Sequence, residues 1–414
     1  MRVHRWWQFA AAMATALILG GLSVGTGTAA AQGIGGLLSG SATTGVPDWV
    51  RPGTRLTFYT AGASIANADY QWQQDENGTW EDPATGTRYS QADVASASGE
   101  GFLQVDVIAI DGTDVVLQWT LYGIDRTAGR FFGGQAGGAR EPGAAPEDYW
   151  IHPTVLAGVP EANLPDLRIL RGDYTVGGGT YHGLGILDPD PSRYSSLIYD
   201  LQTGVLLSAT TRTQGAGSPL HLEGQAPPDA NTQLTIVRIA GVRQRDATGL
   251  GAAIPDGLRP GTTLHYTGTW TFINPYDAAG APLVYPMRMT VTLTAGGSTW
   301  MGYEATTSID MAGLVNSSQG TGVAGGTGPY WIAPSALAVA HEGQVIDEDP
   351  VTAQRVTVAS VGSEAPGGTV VIASEMAGLS SRGTYDRATG VLQAVTRTEA
   401  GSGITVDLLL DSIE

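Results

Sequence analysis

The chain has no cysteine in 414 residues and no lysine either, so its 21 cations are all arginine, set against 39 Asp and Glu. Without cysteine there are no disulfide staples, no thiolate nucleophile and no cysteine metal site. Stability must come from buried apolar area, and a domain of ~150 residues buries about 70 % of its unfolded surface. The net charge of −18 excludes a dense cationic face. Nucleic acid and anionic lipid surfaces are therefore poor partners. Acidic charge keeps such a chain soluble.

Long apolar runs are missing after the first thirty-odd residues. Nothing beyond them approaches the ~20 residues of a membrane-spanning helix. The start itself reads as a signal peptide, residues 1–31. Arg2 and Arg5 form a basic region, Phe9 to Val24 an apolar one, and Ala29-Ala30-Ala31 a cleavage site. No cysteine follows, which closes the bacterial lipoprotein route. The expectation is a secreted or periplasmic protein with no integral membrane association after processing.

Catalytic and metal motifs are also lacking. There is no Gly-x-Ser-x-Gly elbow and no His-Glu-x-x-His. Asp111-Gly112-Thr113 has the wrong order for an aspartic protease, whose chemistry needs one acid from each of two lobes. It reads as a tight β-turn. Gly320-Thr321-Gly322-Val323-Ala324-Gly325 fits G-x-G-x-x-G, but no helical period opens after it, so a Gly-rich loop is expected. Asp75-Glu76, Asp188 with Asp190, and Asp347-Glu348-Asp349 could crowd around calcium. None matches a calcium loop, and solvated loops are expected. Neither cofactor nor metal is implied.

What the chain does contain is one unit written twice. Val46-Pro47-Asp48 with Arg51-Pro52-Gly53-Thr54-Arg55-Leu56 returns as Ile254-Pro255-Asp256 with Arg259-Pro260-Gly261-Thr262-Thr263-Leu264. Tyr149-Trp150-Ile151 returns as Tyr330-Trp331-Ile332. Tyr199-Asp200, Thr203-Gly204-Val205-Leu206 and Arg212-Thr213 return as Tyr385-Asp386, Thr389-Gly390-Val391-Leu392 and Arg397-Thr398. The expected organisation is a flexible segment 32–45, a first repeat 46–243, a join 244–253 and a second repeat 254–414.

Two-residue periodicity dominates both repeats. Met287 to Thr294 alternates without a slip. Leu264, Tyr266, Trp270 and Phe272 share one face of a strand whose other face carries Thr263, His265, Thr267, Thr269 and Thr271. Leu103, Val105, Val107 and Ala109 line one side of another, and Leu117, Trp119 and Leu121 follow. Such alternation means antiparallel sheets with one face buried. Asp-x-x-Thr-Gly at 200–204 and 386–390 predicts capped hairpins. Helix is scarce, with short candidates at Pro153–Ala157 and Pro334–Ala340.

The fold class is mostly β: two tandem homologous antiparallel β domains, each with one short helix. Each is a sandwich, a half-barrel or a closed barrel. At the level of fold alone, with no diagnostic motif, the strand repeats are similar to periplasmic lipoprotein carriers of the half-barrel type.

Flat rings beside amides suit sugar or peptide recognition. They occur at Tyr70, Trp72 and Trp80 in repeat one and at Tyr276 and Tyr285 in repeat two. These five are the candidate ligand-binding residues, although Tyr70, Trp72 and the turn at Asn77-Gly78 also fit an extra hairpin packing on the sheet. The tyrosine–tryptophan pairs at 149–150 and 330–331 read as core anchors. The expected function is non-catalytic binding of a neutral glycan or apolar small molecule. The alternatives are a secreted hydrolase with carboxylates or histidines gathered between the repeats, and a purely structural surface protein.

Overall fold

The computed structural model describes residues 45–65, 73–74, 80–81, 88–89, 97–126, 128–146, 149–165, 167–189, 194–214, 231–245, 249, 251–273, 281–311, 313–363, 367–400 and 402–414. The expected signal peptide, Tyr70, Trp72, Asp75-Glu76, Asp190 and Tyr276 lie outside them.

The first repeat carries β1 (Thr54–Ile65), β2 (Gln73–Gln74), β3 (Trp80–Glu81), β4 (Arg88–Tyr89), β5 (Ala97–Asp111), β6 (Asp114–Asp125) and β7 (Arg130–Pro142). Helix α1 (Pro153–Gly158) follows, then β8 (Ala162–Asn163), β9 (Arg168–Val176), β10 (Gly179–Asp188), β11 (Ser195–Asp200), β12 (Leu206–Gln214), β13 (Asn231–Arg238) and β14 (Arg243–Gln244). The second carries β15 (Thr263–Phe272), β16 (Leu283–Gly296), β17 (Trp300–Met311), β18 (Leu314–Gly325) and α2 (Pro334–Ala338). It ends with β19 (Val345–Glu348), β20 (Arg355–Val361), β21 (Thr369–Met376), β22 (Leu379–Asp386), β23 (Leu392–Glu399) and β24 (Ile404–Ile413).

Both repeats follow one path. The sheets run β7-β6-β5-β1-β13-β12-β11-β10-β9-β8, with β14 added on β1, and β18-β17-β16-β15-β24-β23-β22-β21-β20-β19. The chain meanders to one edge, crosses through the Tyr-Trp-Ile segment and the helix to the other edge, and meanders back to the middle. Each repeat is one sheet whose two edges do not pair among the described residues, which makes it an open half-barrel. The cores agree, because β1, β5, β6 and β9 to β13 all send side chains to one cluster holding Trp150 and Leu156. The second sheet does the same around Trp331 and Leu337.

The repeated words meet in space. Trp150 and Trp331 are fully buried. Their indole N–H groups donate to the carbonyls of Gly143 (2.9 Å) and Gly325 (2.8 Å). Each tryptophan also bridges to the strand after the Asp-x-x-Thr-Gly turn, Trp150 to Val205 and Trp331 to Val391. In that turn the Asp200 carboxylate accepts from the N–H groups of Gln202 and Thr203, and Asp386 from those of Ala388 and Thr389. Gly204 (φ 77°) and Gly390 (φ 75°) need the left-handed region. A Cβ at either would also overlap the carbonyl oxygen of Ile151 or Ile332. Turn and crossover are thus one packed joint, which explains why their residues recur together.

Three expectations need correction. The glycine run Gly320–Gly325 is not a loop but the end of β18, and the Gly-rich segment before Pro142 is β7. Glycine serves there by leaving room, since a Cβ at Gly137 would strike the Trp119 ring and one at Gly322 the Tyr303 ring. Ala109 does not share a side with Val107, because a bulge between them pairs Ala109 with Val116. The matched letters Arg212 and Arg397 are not equivalent. Both β11–β12 and β22–β23 carry a bulge beside the tyrosine, after which Ser195 pairs with Thr211 and Ser381 with Arg397. Thr211 holds the position of Arg397, and Arg212 lies one residue on.

The second core holds a group of tyrosines. Tyr303 stands edge-on to Tyr330 with ring centroids 5.0 Å apart, and Tyr266 lies 6.3 Å from Tyr330. Burial pushes the Tyr330 hydroxyl up to about 12 and drives Tyr266, Tyr303 and Tyr385 higher still. Unfolded tyrosine titrates near ~10. Between those values the folded chain keeps protons that the unfolded chain gives up, so stability falls as pH rises. The melting midpoint should hold below pH ~10 and drop steeply from there to pH ~12. Tyr303→Phe with Tyr330→Phe should flatten that drop in a calorimetric pH series, and an unchanged slope would refute the assignment.

Candidate functional site

Two places bring chemistry together. The first lies between the repeats, where the outer face of β1, β5 and β6 packs on the second repeat. Ile108, Ala109 and Val116 form a cluster there with Trp300 and Val323. The Phe131 N–H donates to the Ala377 carbonyl at 2.7 Å.

Beside this contact sit three arginines and three aspartates. Arg55 grips Asp106 with both prongs, Nε to Oδ1 at 2.7 Å and Nη2 to Oδ2 at 2.8 Å. Its Nη1 lies 3.1 Å from Asp349 and 3.5 Å from Asp347. Arg245 bridges Asp347 (2.9 Å) and Asp106 (3.4 Å). Arg243 pairs with Asp347 and reaches Asp349 at 3.2 Å. Gln104 donates to Asp349 at 3.1 Å. The side chains of Arg55, Asp347 and Asp349 are only 6 %, 6 % and 2 % exposed. The solvated-loop expectation for Asp347 and Asp349 is therefore overturned. They sit inside the molecule because Arg55 and Arg243 of the first repeat and Arg245 of the join neutralise them.

The electrostatics follow from that pairing. Burial alone would raise the Asp106 pKa, but the charges and hydrogen bonds of Arg55 and Arg245 hold it below the carboxylate range. Burial likewise opposes Asp349, which the N–H groups of Thr352 and Val351 and the charge of Arg55 hold low. A hydrolase between the repeats would need carboxylates that trade protons near neutrality. Asp106 and Asp349 are held below the carboxylate range and paired with arginine, as members of an ionic clamp.

The second place is the mouth of the second half-barrel. Side chains alternate along each strand, so the rows of the concave face can be followed across the sheet. One row near the open end reads Tyr285, Trp270, Val406, Arg397, Ser381 and Ser374, each opposite the next. The next row outward reads Leu283, Phe272, Ile404, Glu399, Leu379 and Met376. Trp270 stacks on Phe272 at 5.7 Å and 13° and leans on Tyr285 at 5.9 Å. These three rings are half-buried, and Ile273, Leu283 and Val284 around them are exposed. Deeper in, the same face closes over Leu264, Tyr266 and Trp331.

The first repeat lacks this arrangement. Counting from Leu56 and Leu264, Gly62 stands where Trp270 does, and Gly62 pairs with Gly99. Thr211 stands in place of Arg397. The two mouths are therefore chemically unlike, although the scaffolds match.

Of the expected ligand residues, Tyr285 lies in the mouth and Tyr276 belongs to the segment joining its two strands. Trp80 is in β3, opposite Gln74 on one side and Tyr89 on the other, within a small three-stranded sheet. That sheet joins Gln73–Gln74 to Trp80–Glu81, while Tyr70 and Trp72 lie outside the described residues. Trp270 and Phe272 were named as strand residues and not as ligand contacts. Their signal was an alternation that continues past Tyr266 with larger rings than a buried strand end needs. His152 accepts from the Thr154 N–H at the start of α1, and half-buried His265 lies 3.4 Å from the Thr290 hydroxyl and 3.6 Å from Glu414.

No helix among the described residues is long and apolar enough to cross a membrane. No protein-family model and no curated protein matches the chain. Among solved structures, MucB aligns over 72 % of this chain and 93 % of its own, at 15 % identity and a TM-score of 0.22. MucB in complex with MucA(peri) aligns over 70 % of this chain and 91 % of that chain, at 12 % identity and a TM-score of 0.19.

Proposed function

We propose that the chain is an exported, non-catalytic binding protein that holds an apolar, lipid-like molecule in the mouth of the second half-barrel. The observation that supports this reading is the row of half-buried rings, Trp270, Phe272 and Tyr285, beside exposed Ile273, Leu283 and Val284. Rings with two torsions offer broad contact area at low ordering cost. The loop rings Tyr276, Tyr70, Trp72 and Trp80 belong to the same proposal as further contacts. The export sequence Arg2 to Ala31 supports an extracytoplasmic setting.

The neutral apolar dye N-phenyl-1-naphthylamine tests the mouth directly. Its fluorescence should rise on the wild type with saturation. Trp270→Ala should weaken the dye at least ~10-fold while lowering the unfolding free energy by only about 1–2 kcal/mol, because the ring is half-buried. Dye binding that survives this change, or a wild type that never binds dye, would rule out the mouth as the site.

A further inference from the structure

The mouth is not uniformly apolar. One half is ring and aliphatic surface, Tyr285, Trp270 and Val406, and the other half begins at Arg397. Val395 and Val406 pack toward the core, so strand alternation puts Arg397 on that same concave face. It is exposed and forms no ion pair among the described residues. Ser381 stands opposite it, and the Arg397 charge reaches Tyr122 of the first repeat, whose hydroxyl bonds Gln354. Ser374 comes next in the row, accepts from Gln354 at 3.0 Å, and keeps its own O–H to donate. A lone guanidinium beside an aromatic wall is a notable placement in a chain of net charge −18.

We infer that this mouth takes a single-chain amphiphile whose carboxylate head sits on Arg397 and Ser381 and whose hydrocarbon tail lies along Val406, Trp270 and Tyr285. The inference rests on the proposal that the mouth is a ligand site, and adds the chemical class. A guanidinium matches a carboxylate with two parallel N–H···O bonds. The strand spacing of about 4.8 Å puts the ring wall two strands from the arginine, so head and tail contacts are made at once. Glu399 lies on the same face two residues beyond Arg397. It disfavours a doubly charged head such as a phosphate monoester, which favours the carboxylate. One arginine on a concave face is also a different thing from a basic surface, so the acidic exterior is no obstacle to a single anionic head.

Displacement of N-phenyl-1-naphthylamine by dodecanoate, 1-dodecanol and dodecyl phosphate tests this on the full processed chain. Dodecanoate should displace the dye at a concentration roughly 10- to 100-fold lower than dodecanol, the usual worth of a charge-assisted hydrogen-bonded contact. Dodecyl phosphate should compete less well than dodecanoate. Arg397→Gln should bring dodecanoate to the level of dodecanol. Equal competition by dodecanoate and dodecanol on the wild type, an undiminished preference in Arg397→Gln, or a stronger effect of dodecyl phosphate would each overturn the head-group assignment while the dye still reports an apolar site. Absence of dye binding would instead remove the site itself.

Discussion

Arg55→Ala is expected to lower the unfolding free energy by about 3–5 kcal/mol, the cost of leaving buried charges uncompensated. Arg55 is the member of the inter-repeat cluster that touches all three aspartates. Arg243 and Arg245 remain and take up part of the burden, which places the effect at the lower end of that range. Guanidinium unfolding reads it as a shift in midpoint. The pH dependence follows with a definite sign. Asp106 and Asp349 are held below their ordinary pKa, so their contribution is complete above pH ~4 and is lost as pH falls through the lowered values. In Arg55→Ala those carboxylates return toward ordinary values, and acid destabilisation should become shallower. A variant as stable as the wild type, with the same acid profile, would show that the cluster is incidental.

Trp331→Ala is the second large effect, about 3–5 kcal/mol from the cavity alone. The Gly325 carbonyl loses its indole donor as well, which adds to the cost. The damage should spread to the Asp386–Gly390 turn, because Trp331 bridges to Val391 and the Ile332 N–H donates to Gly390. Hydrogen exchange should therefore accelerate at Ala388, Thr389 and Gly390 along with the crossover, and less so in the matching turn at Asp200. Trp331→Phe keeps most of the volume and should recover much of the loss. A full-size loss in Trp331→Phe would shift the weight from packing to the hydrogen bond.

The architecture was legible because its determinants are local. Alternation in Met287–Thr294 and in Leu264–Phe272 reports which face is wet, and the duplicated turn and crossover blocks report a shared joint. The ionic clamp was not legible. Arg55 and Asp349 are far apart in the chain, neither has a counterpart in the other repeat, and acidic runs on an acidic chain look alike whether paired or solvated. The glycine runs misled because glycine is depleted in strands on average, whereas here it clears space for Trp119 and Tyr303. Arg212 and Arg397 misled because their letters match while their spacing does not: Arg212 is six residues past Leu206, and Arg397 five past Leu392. Tyr285 was found among the loop aromatics, while Trp270 and Phe272 passed as ordinary strand residues. Nothing in an alternating pattern reveals where a sheet ceases to be covered.

The outer face of β1 and β5 in the first repeat is capped by the second, with Arg55 and Asp106 opposite each other at its centre. The corresponding face of the second repeat presents Thr263 opposite Thr292 instead. A head-to-tail contact of this kind does not close on itself, and if both faces carried the same charges each molecule would recruit the next into an open-ended filament. Two threonines in place of an arginine and an aspartate leave that face without the charges such growth would use.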